Sequence, residues 1–374
     1  MTVAGTGIYL ERCLAALAAD WPGGYWWHFL VFAVIIMVFV IGMVLAFIYY
    51  ERRLLALFQV RLGPNRTGPF GLFQPLADAV KVLLKEDIIP AKSDKLVFWL
   101  APLVAFVPVL MIFTVVPFQN GALLADLNIG ILYVIAVSSV VAVGIFMAGW
   151  SSSNKYSLLG AMRDVAQLIS YEIPLALSIL GVVLLAGTLS MNGIVEAQHV
   201  PFILLQPLGF LIFFAAALAE INRCPFDLLE ADQEIVAGFN IEYSGMKFAM
   251  FFLTEYCEAL VLSAVATTLF LSGWKGPGLA PVLWFIIKVF AVFSLIIWVR
   301  STIPRLRIDQ VMGFAWKFLM PLALINLVIT AIEVLVWKDV ALPWPVIFVN
   351  FAIMGVLVVL WSKFFRTGGG RVEV

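Results

Sequence analysis

The sequence predicts an all-α integral membrane protein, and three observations support this fold class. The chain has 374 residues, of which 63% are hydrophobic and only 12% are charged. That is too little polar surface to cover a soluble globule of this size. Apolar runs long enough to cross a bilayer recur along the whole chain. Because these runs lack the period-two alternation of barrel strands, we expect helices in a single polytopic domain over residues 1–374.

Nine membrane spans are expected, with an uneven distribution of basic residues between the two sides. The spans lie near residues 28–50, 95–116, 128–148, 158–189, 201–221, 246–272, 281–300, 314–337 and 344–364. When successive loops are assigned to opposite sides, all but four of the 23 Lys and Arg residues fall on one side. The positive-inside rule makes that side cytoplasmic, so the N-terminus is expected outside and the C-terminus in the cytoplasm.

The first span is followed by a sharp turn and a short amphipathic segment. Two Gly-Pro pairs within residues 49–71 interrupt any helix there. Residues 72–86 then place apolar side chains on one face and Asp78, Lys81 and Lys85 on the other. This pattern predicts an amphipathic helix in the membrane interface. On pattern alone, the helix could equally be a lipid anchor with no further role.

Three spans carry carboxylates at depth: the fourth, the sixth and the eighth, which contains Glu333. The fourth, at 158–189, is 32 residues long, so it would extend roughly 48 Å, more than the ~30 Å of a hydrocarbon core. Glu172 lies about 21 Å along it from Leu158 and should therefore be well inside the membrane. In the sixth span, Glu255 and Glu258 lie three positions apart on one face. Charged acids inside a span are costly, which favours a function over a purely structural hydrogen bond.

An acid-rich stretch separates the fifth and sixth spans. Residues 219–245, AEINRCPFDLLEADQEIVAGFNIEYSG, contain six carboxylates against Arg223 alone, and residues 222–245 are expected to form an acidic cytoplasmic loop. The six acids are Glu220, Asp227, Glu230, Asp232, Glu234 and Glu242. Clustered acids beside apolar spans repel one another and lose hydration, which suits a proton relay. Charge alone leaves a solvated loop with capping acids equally open.

The remaining composition argues against several other functions. Three cysteines and two histidines show no metal-type spacing, so no metal, haem or iron–sulfur cluster is expected in this chain, and any redox cofactor is expected in a partner. The formal net charge is zero, so no nucleic-acid surface is expected. No cleavable signal peptide is evident in the first 27 residues, which contain Glu11 and Asp20.

A series of motifs in chain order resembles a known family. They are ERRLLALFQVRLGPNRTGPFGLFQPLADAVK, GW followed by SNKYSLLG, ISYE, AEINRCPFDLLEADQE, VAGFNIEYSG, FLTEY, RSTIPRLRIDQVM and WKFLMPLAL. With them the chain resembles the quinone-chamber membrane subunits of bacterial respiratory complex I, the NADH:quinone oxidoreductase. The segment after Trp344 is similar to members with an extra C-terminal span. Asp232 departs from the pattern, because Glu is expected there.

The resemblance implies a function and a set of site residues. Quinone, either ubiquinone or menaquinone, would enter between the first span, the amphipathic helix and the sixth span, past a tunnel set of Glu51, Arg52, Gln59, Arg61, Asp78, Phe226, Tyr256 and Arg300. A proton or charge relay would use Glu172, Glu220, Asp227, Glu230, Asp232, Glu234, Glu242 and Glu255. No flavin, haem or iron–sulfur cluster is implied in this chain.

The resemblance also implies partners and a place in the cell. The partners would be hydrophilic-arm quinone-site subunits and the small and antiporter-like membrane subunits of the complex, within the lipids of the bacterial inner membrane. Two alternatives stay open: the homologous subunit of a membrane-bound hydrogenase, and a proton or cation transporter without redox work. The Arg-rich turn and the amphipathic helix favour the quinone interpretation, because a simple transporter would leave them without a role.

Overall fold

Every regular element in the computed structural model is helical over the residues that it describes, 26–119, 125–228, 238–336 and 344–368. The helices are α1 (Trp26–Phe58), α2 (Gln74–Leu83), α3 (Lys95–Ile112), α4 (Gly130–Ser151), α5 (Lys155–Ala186), α6 (Met191–Ala197), α7 (Phe202–Leu205), α8 (Pro207–Glu220), α9 (Gly245–Phe270), α10 (Pro281–Thr302), α11 (Ile308–Val336) and α12 (Trp344–Gly368). The predicted all-α fold class is confirmed.

Six of these helices are long and apolar enough to cross a membrane, namely α3, α4, α5, α9, α10 and α11. Two further apolar helices in the described part of the chain are shorter: α8 and the segment Ile347–Leu360 of α12. Helix α1 has 33 residues, and α5 has 32, the length expected from the sequence. An integral membrane protein is therefore confirmed, and the count of nine spans stays a prediction.

The boundaries differ from the sequence expectation at three places. The fifth span is broken into α7 and α8 at Gln206, which has φ −131° and ψ 61°. Pro207 causes this break, because proline has no N–H and keeps the preceding residue out of the helical region. Helix α1 continues beyond residue 50 to Phe58, through a Leu-rich stretch of strong helix formers. The amphipathic helix is shorter than predicted and spans only Gln74–Leu83.

Helices α5 and α9 lie at the centre of the bundle. Helix α9 packs against α1, α2, α3, α5, α8 and α10, and α5 packs against α4, α8 and α11. The inward faces of α9 are rich in small residues, including Ala259 and Ala264, which permit this close packing. These two helices also carry Asp164, Glu172, Glu255 and Glu258, and Asp164 is only 2% exposed.

Candidate functional site

A buried ion cluster lies where α1, α10 and the segment after α8 meet. Glu51 on α1 has a side chain only 3% exposed, and one of its carboxylate oxygens accepts from Nη1 of Arg223 at 3.2 Å. Arg300 at the end of α10 pairs with the same oxygen. The guanidinium of Arg223 also lies 4.4 Å from the centre of the Tyr256 ring. These four residues, here called the Glu51 cluster, come from four separate parts of the chain.

Arg223 is a fixed cation in the Glu51 cluster. Burial lowers the pKa of its guanidinium, but the negative charges around it, Glu51 first, together with the hydrogen bond to Tyr256, leave that pKa above the ordinary value. Charges as buried as these are stable only when they are paired, and removing one partner of such a pair costs about 3–5 kcal/mol. The cluster therefore holds a permanent charge pattern at the boundary of the bundle.

A second ion pair, formed by the residue after Glu51, links α1 to the amphipathic helix α2. Arg52 pairs with Asp78 on α2, and their side chains are 39% and 36% exposed. Gln74 donates to the other oxygen of Asp78 at 3.0 Å, and Thr67 donates to Gln74 at 2.6 Å. This polar row anchors α2 against α1, so the apolar face of α2, including Leu76 and Leu83, stays exposed.

The remaining members of the predicted tunnel set lie elsewhere. Gln59 and Arg61 bond each other at 2.6 Å on the exposed turn after α1. Phe226 is buried and packs its ring against those of Tyr171 and Phe314, at centroid distances of 5.3 and 6.0 Å. The structure therefore brings Glu51, Tyr256 and Arg300 together, places Arg52 and Asp78 beside them, and puts Phe226 on the side of α5.

Five carboxylates on three central helices form a second site, the acid row. They are Asp164 and Glu172 on α5, Glu220 at the end of α8, and Glu255 and Glu258 on α9. Glu220 lies within electrostatic range of both Glu172 and Glu258. Asp164 lies within range of Glu255 and Glu258. Acids placed so closely titrate as a coupled set, so charge at one member changes the charge at the others.

The acid row borders a small internal cavity. Glu220, Glu258 and Ser138 line a space of about 20 Å³ among apolar side chains. The Ser138 hydroxyl donates to the Ile135 carbonyl at 3.0 Å, and one carboxylate oxygen of Glu220 has no hydrogen-bond partner among the described residues. A cavity of this size with polar groups on its wall is large enough for a water molecule.

The two sites meet on α9. Glu255 interacts electrostatically with Arg223 of the Glu51 cluster and with Asp164 and Glu258 of the acid row. Its chain neighbour Tyr256 belongs to the Glu51 cluster. Adjacent residues on a helix point about 100° apart, so one turn of α9 addresses both sites. A change of charge at one site can therefore alter the electrostatic potential at the other site without a long-range rearrangement.

The acidic stretch after α8 is only partly described. Asp227 lies within electrostatic range of Asp164, whereas Glu230, Asp232 and Glu234 lie outside the described residues. Glu242 accepts from the side chain of Asn154, the residue that caps α5, at 2.8 Å. Within the described contacts, Glu242 thus lies at the start of α5, away from Glu172 and Glu220.

Aromatic packing fixes the segment that carries Glu242. The rings of Tyr243 and Phe98 stack with centroids 4.0 Å apart. Burial raises the pKa of the Tyr243 hydroxyl to about 12, although its hydrogen bond to Ser151 acts in the opposite direction. The hydroxyl therefore stays protonated and donates to the Phe98 carbonyl at 3.3 Å.

Two members of the acid row were absent from the predicted site set. Asp164 is almost fully buried, and both of its carboxylate oxygens lack a hydrogen-bond partner among the described residues. Glu258 lines the cavity. The signals were present in the sequence: Asp164 precedes Glu172 by eight residues, close to two helical turns, and Glu258 follows Glu255 by three.

Lys288, another ionisable group in a span, instead donates to the carbonyls of Leu271, Gly273 and Lys275.

Similarity to known proteins agrees with this architecture. Residues 31–331 match the family model described as NADH dehydrogenase. Two relatives, each named as the H subunit of NADH-quinone oxidoreductase, from Dehalococcoides mccartyi strains CBDB1 and ATCC BAA-2266, are 65% and 66% identical over 350 residues, which covers 94% of this chain and 99% of each relative. A protein of the same name from Brevibacillus brevis is 47% identical over 334 residues, 87% of this chain and 98% of its own length. The chain therefore belongs to the NADH dehydrogenase family, among the membrane proteins named as the H subunit of NADH-quinone oxidoreductase.

Proposed function

We propose that this chain, as a membrane subunit of NADH-quinone oxidoreductase, admits quinone past the Glu51 cluster and passes the resulting charge change into the acid row. The position of Glu255 carries the proposal, because this carboxylate interacts with Arg223 on one side and with Asp164 and Glu258 on the other. A charge that arrives near the Glu51 cluster would alter the field at Glu255 and thereby the proton distribution among the acids behind it.

The entry route would lie between α1, α2 and α9. A quinone has a long apolar tail and a polar headgroup, so its route needs an apolar wall followed by polar groups. The exposed apolar face of α2 supplies the former. Arg52 with Asp78, and then the Glu51 cluster with Tyr256 and Arg300, supply the latter. Gln59 and Arg61, on the turn after α1, would face the partner at the mouth of the route.

The relay would run from Glu255 through Glu258 to Glu220 and Glu172, with Asp164 and Asp227 beside its start. The cavity between Glu220 and Glu258 is large enough for water that could link two carboxylates. Glu242, held by Asn154 at the start of α5, would form a separate branch together with the acids at 230, 232 and 234. Chemistry at the quinone would thus be coupled to proton movement without a redox cofactor in this chain.

The same proposal implies the orientation of the chain in the membrane, its partner subunits and its substrate. The side with most of the Lys and Arg residues would face the cytoplasm and bind the hydrophilic-arm subunits that reduce quinone, which places the C-terminus inside and the N-terminus outside the bacterial inner membrane. The far end of the acid row would adjoin the small and antiporter-like membrane subunits. The substrate would be ubiquinone or menaquinone.

Variants of the exposed ion pair test the entry route. Arg52→Ala and Asp78→Asn should lower NADH:quinone turnover in the intact complex, because they remove the polar row beside the route. Oxidation of NADH by a hydrophilic artificial acceptor should be unchanged, since that electron path avoids the membrane. Lys81→Ala, an exposed change on the same helix, serves as the control. Equal loss with both acceptors, or none with either, would contradict the entry route.

A further inference from the structure

A polar pocket outside the acid row lies where α12 packs against the break between α7 and α8. Helix α7 ends at Leu205 and Gln206 is non-helical, so the Leu205 carbonyl has no i+4 amide partner within a continuous helix. The side chain of Asn350 on α12 donates to this carbonyl at 2.6 Å and to Glu333 Oε2 at 3.2 Å. Since both neighbours are acceptors, the amide nitrogen of Asn350 must face them.

The hydrogen-bond directions also fix the orientation of Gln206. The Thr330 hydroxyl donates to the backbone carbonyl of Asn326 at 2.8 Å, so its oxygen can only accept from Gln206, whose Nε2 lies 2.6 Å away. The amide oxygen of Gln206 therefore faces the other way. That oxygen is buried and has no hydrogen-bond partner among the described residues, and Gln206 as a whole is only 3% exposed.

Three atoms without a described partner converge on this pocket. They are the acceptors Gln206 Oε1 and Glu333 Oε1 and the donor Asn326 Nδ2. All three residues line a cavity of about 10 Å³. Gly209 leaves this space open, because a Cβ atom there would lie 3.1 Å from Gln206 Oε1 and 3.3 Å from Asn326 Nδ2.

We propose that this pocket binds one water molecule, which joins α8, α11 and α12 near the start of α8. A water offers two O–H donors and accepts hydrogen bonds, and the pocket presents two acceptors, Gln206 and Glu333, and one donor, Asn326. Buried waters typically make about three such bonds and occupy spaces of this size. A bare cation suits the pocket less well, since the Asn326 N–H would point at it.

The bound water would hold the last helix in place. Asn350 is the polar side chain through which α12 reaches both the Leu205 carbonyl and Glu333. With the water in the pocket, Glu333 is held on both oxygens and keeps Asn350 in position. Without it, three buried polar groups lack partners, which is unfavourable in a low-dielectric interior.

A density map of the intact complex that resolves waters elsewhere in the bundle tests the site directly. We expect a single peak within hydrogen-bond distance of Gln206 Oε1, Glu333 Oε1 and Asn326 Nδ2. A dry pocket in such a map would overturn the proposal. So would a peak whose ligand distances are those of a metal ion.

Hydrogen exchange of α12 in the intact complex tests the role of the water. Gly209→Ala places a methyl group in the pocket and should expel the water, raising exchange of the α12 amides by about tenfold, the factor that corresponds to about 1.4 kcal/mol. Gly42→Ala, on α1 and outside both the pocket and α12, has nothing within 4 Å of the added Cβ and should leave exchange of the α12 amides unchanged. Unchanged exchange in a Gly209→Ala complex whose map shows the water gone would contradict the role in holding α12.

Discussion

At the residue scale, neighbours in the chain have very different surroundings. Glu51 is almost fully buried and paired with two guanidinium groups, whereas the next residue, Arg52, is 39% exposed and pairs with Asp78. The difference follows from the turn of about 100° between adjacent helical residues, which directs one side chain into the bundle and the other towards α2. The loss of stability on breaking the Glu51 pairs should therefore differ from that on breaking the Arg52–Asp78 pair.

Glu51→Gln should therefore destabilise the subunit far more than Asp78→Asn. The first change keeps the side-chain volume but leaves Arg223 buried without its counter-charge, a loss of about 3–5 kcal/mol. The second breaks a half-exposed pair of the kind that contributes about 0–1 kcal/mol. Thermal unfolding of the purified complex and the amount of assembled subunit measure both. Equal stability of the two variants would show that the Glu51 cluster is not the buried charge centre described.

Glu220 and Glu258 provide the residue-level test of the relay. Glu220→Gln and Glu258→Gln should each lower quinone-linked activity and proton pumping together, because the amide retains the volume and cannot titrate. The double variant should depart from additivity by about 0.5–3 kcal/mol, as expected for groups in one network. Glu196→Gln, an exposed acid outside the row, is the matched control. Normal pumping by an assembled Glu220→Gln complex would remove that residue from the relay.

At the element scale, the segment with Glu242 is seated on the start of α5. Ser157 donates to the Phe239 carbonyl at 2.8 Å, and Asn154 bonds Glu242. Gly160 allows the backbones to approach, because a Cβ atom there would lie 2.7 Å from the carbonyl carbon of Gly238. The position of the acidic segment thus depends on one small residue of a neighbouring helix.

Gly160→Ala should displace this segment. Its added methyl group meets backbone, which cannot rotate away as a side chain could, so we expect a loss of about 1–3 kcal/mol and reduced quinone-linked activity. Gly42→Ala on α1 meets nothing within 4 Å and should be neutral or slightly stabilising. Thermal unfolding and turnover of the two complexes measure the difference. An unaltered Gly160→Ala complex would mean that the contact is not tight in the assembled protein.

At the scale of the whole molecule, the distribution of basic residues predicts the orientation. A tag after Val374 should be accessible from the cytoplasm and a tag before Met1 from the opposite side, because the nine predicted spans would place the two termini on opposite sides. Labelling of intact cells and of inverted vesicles with an impermeant reagent measures both. Termini on the same side would make the span count even and would point to α8 or the last helix as the element that fails to cross.

The sequence by itself determined the fold class, most helix positions and which helices carry the acids. Hydropathy and residue spacing show which segments can face lipid. This is a local property, so it can be read without knowing which other helices a segment packs against. The break at Gln206 was also readable, since Pro207 forbids a continuous helix there.

Only the tertiary structure decided which polar groups meet. Glu51 pairs with Arg223 and Arg300, 172 and 249 residues away along the chain. Helix packing places the ring of Phe226 against those of Tyr171 and Phe314, and it brings Asp164 and Glu258 into the acid row. Hydropathy reports only the average polarity of a segment, and it placed Arg223 in a cytoplasmic loop, although its side chain is buried. The pairing of these groups depends on the way distant helices pack, because inside a membrane a polar group is stable only against a matching partner.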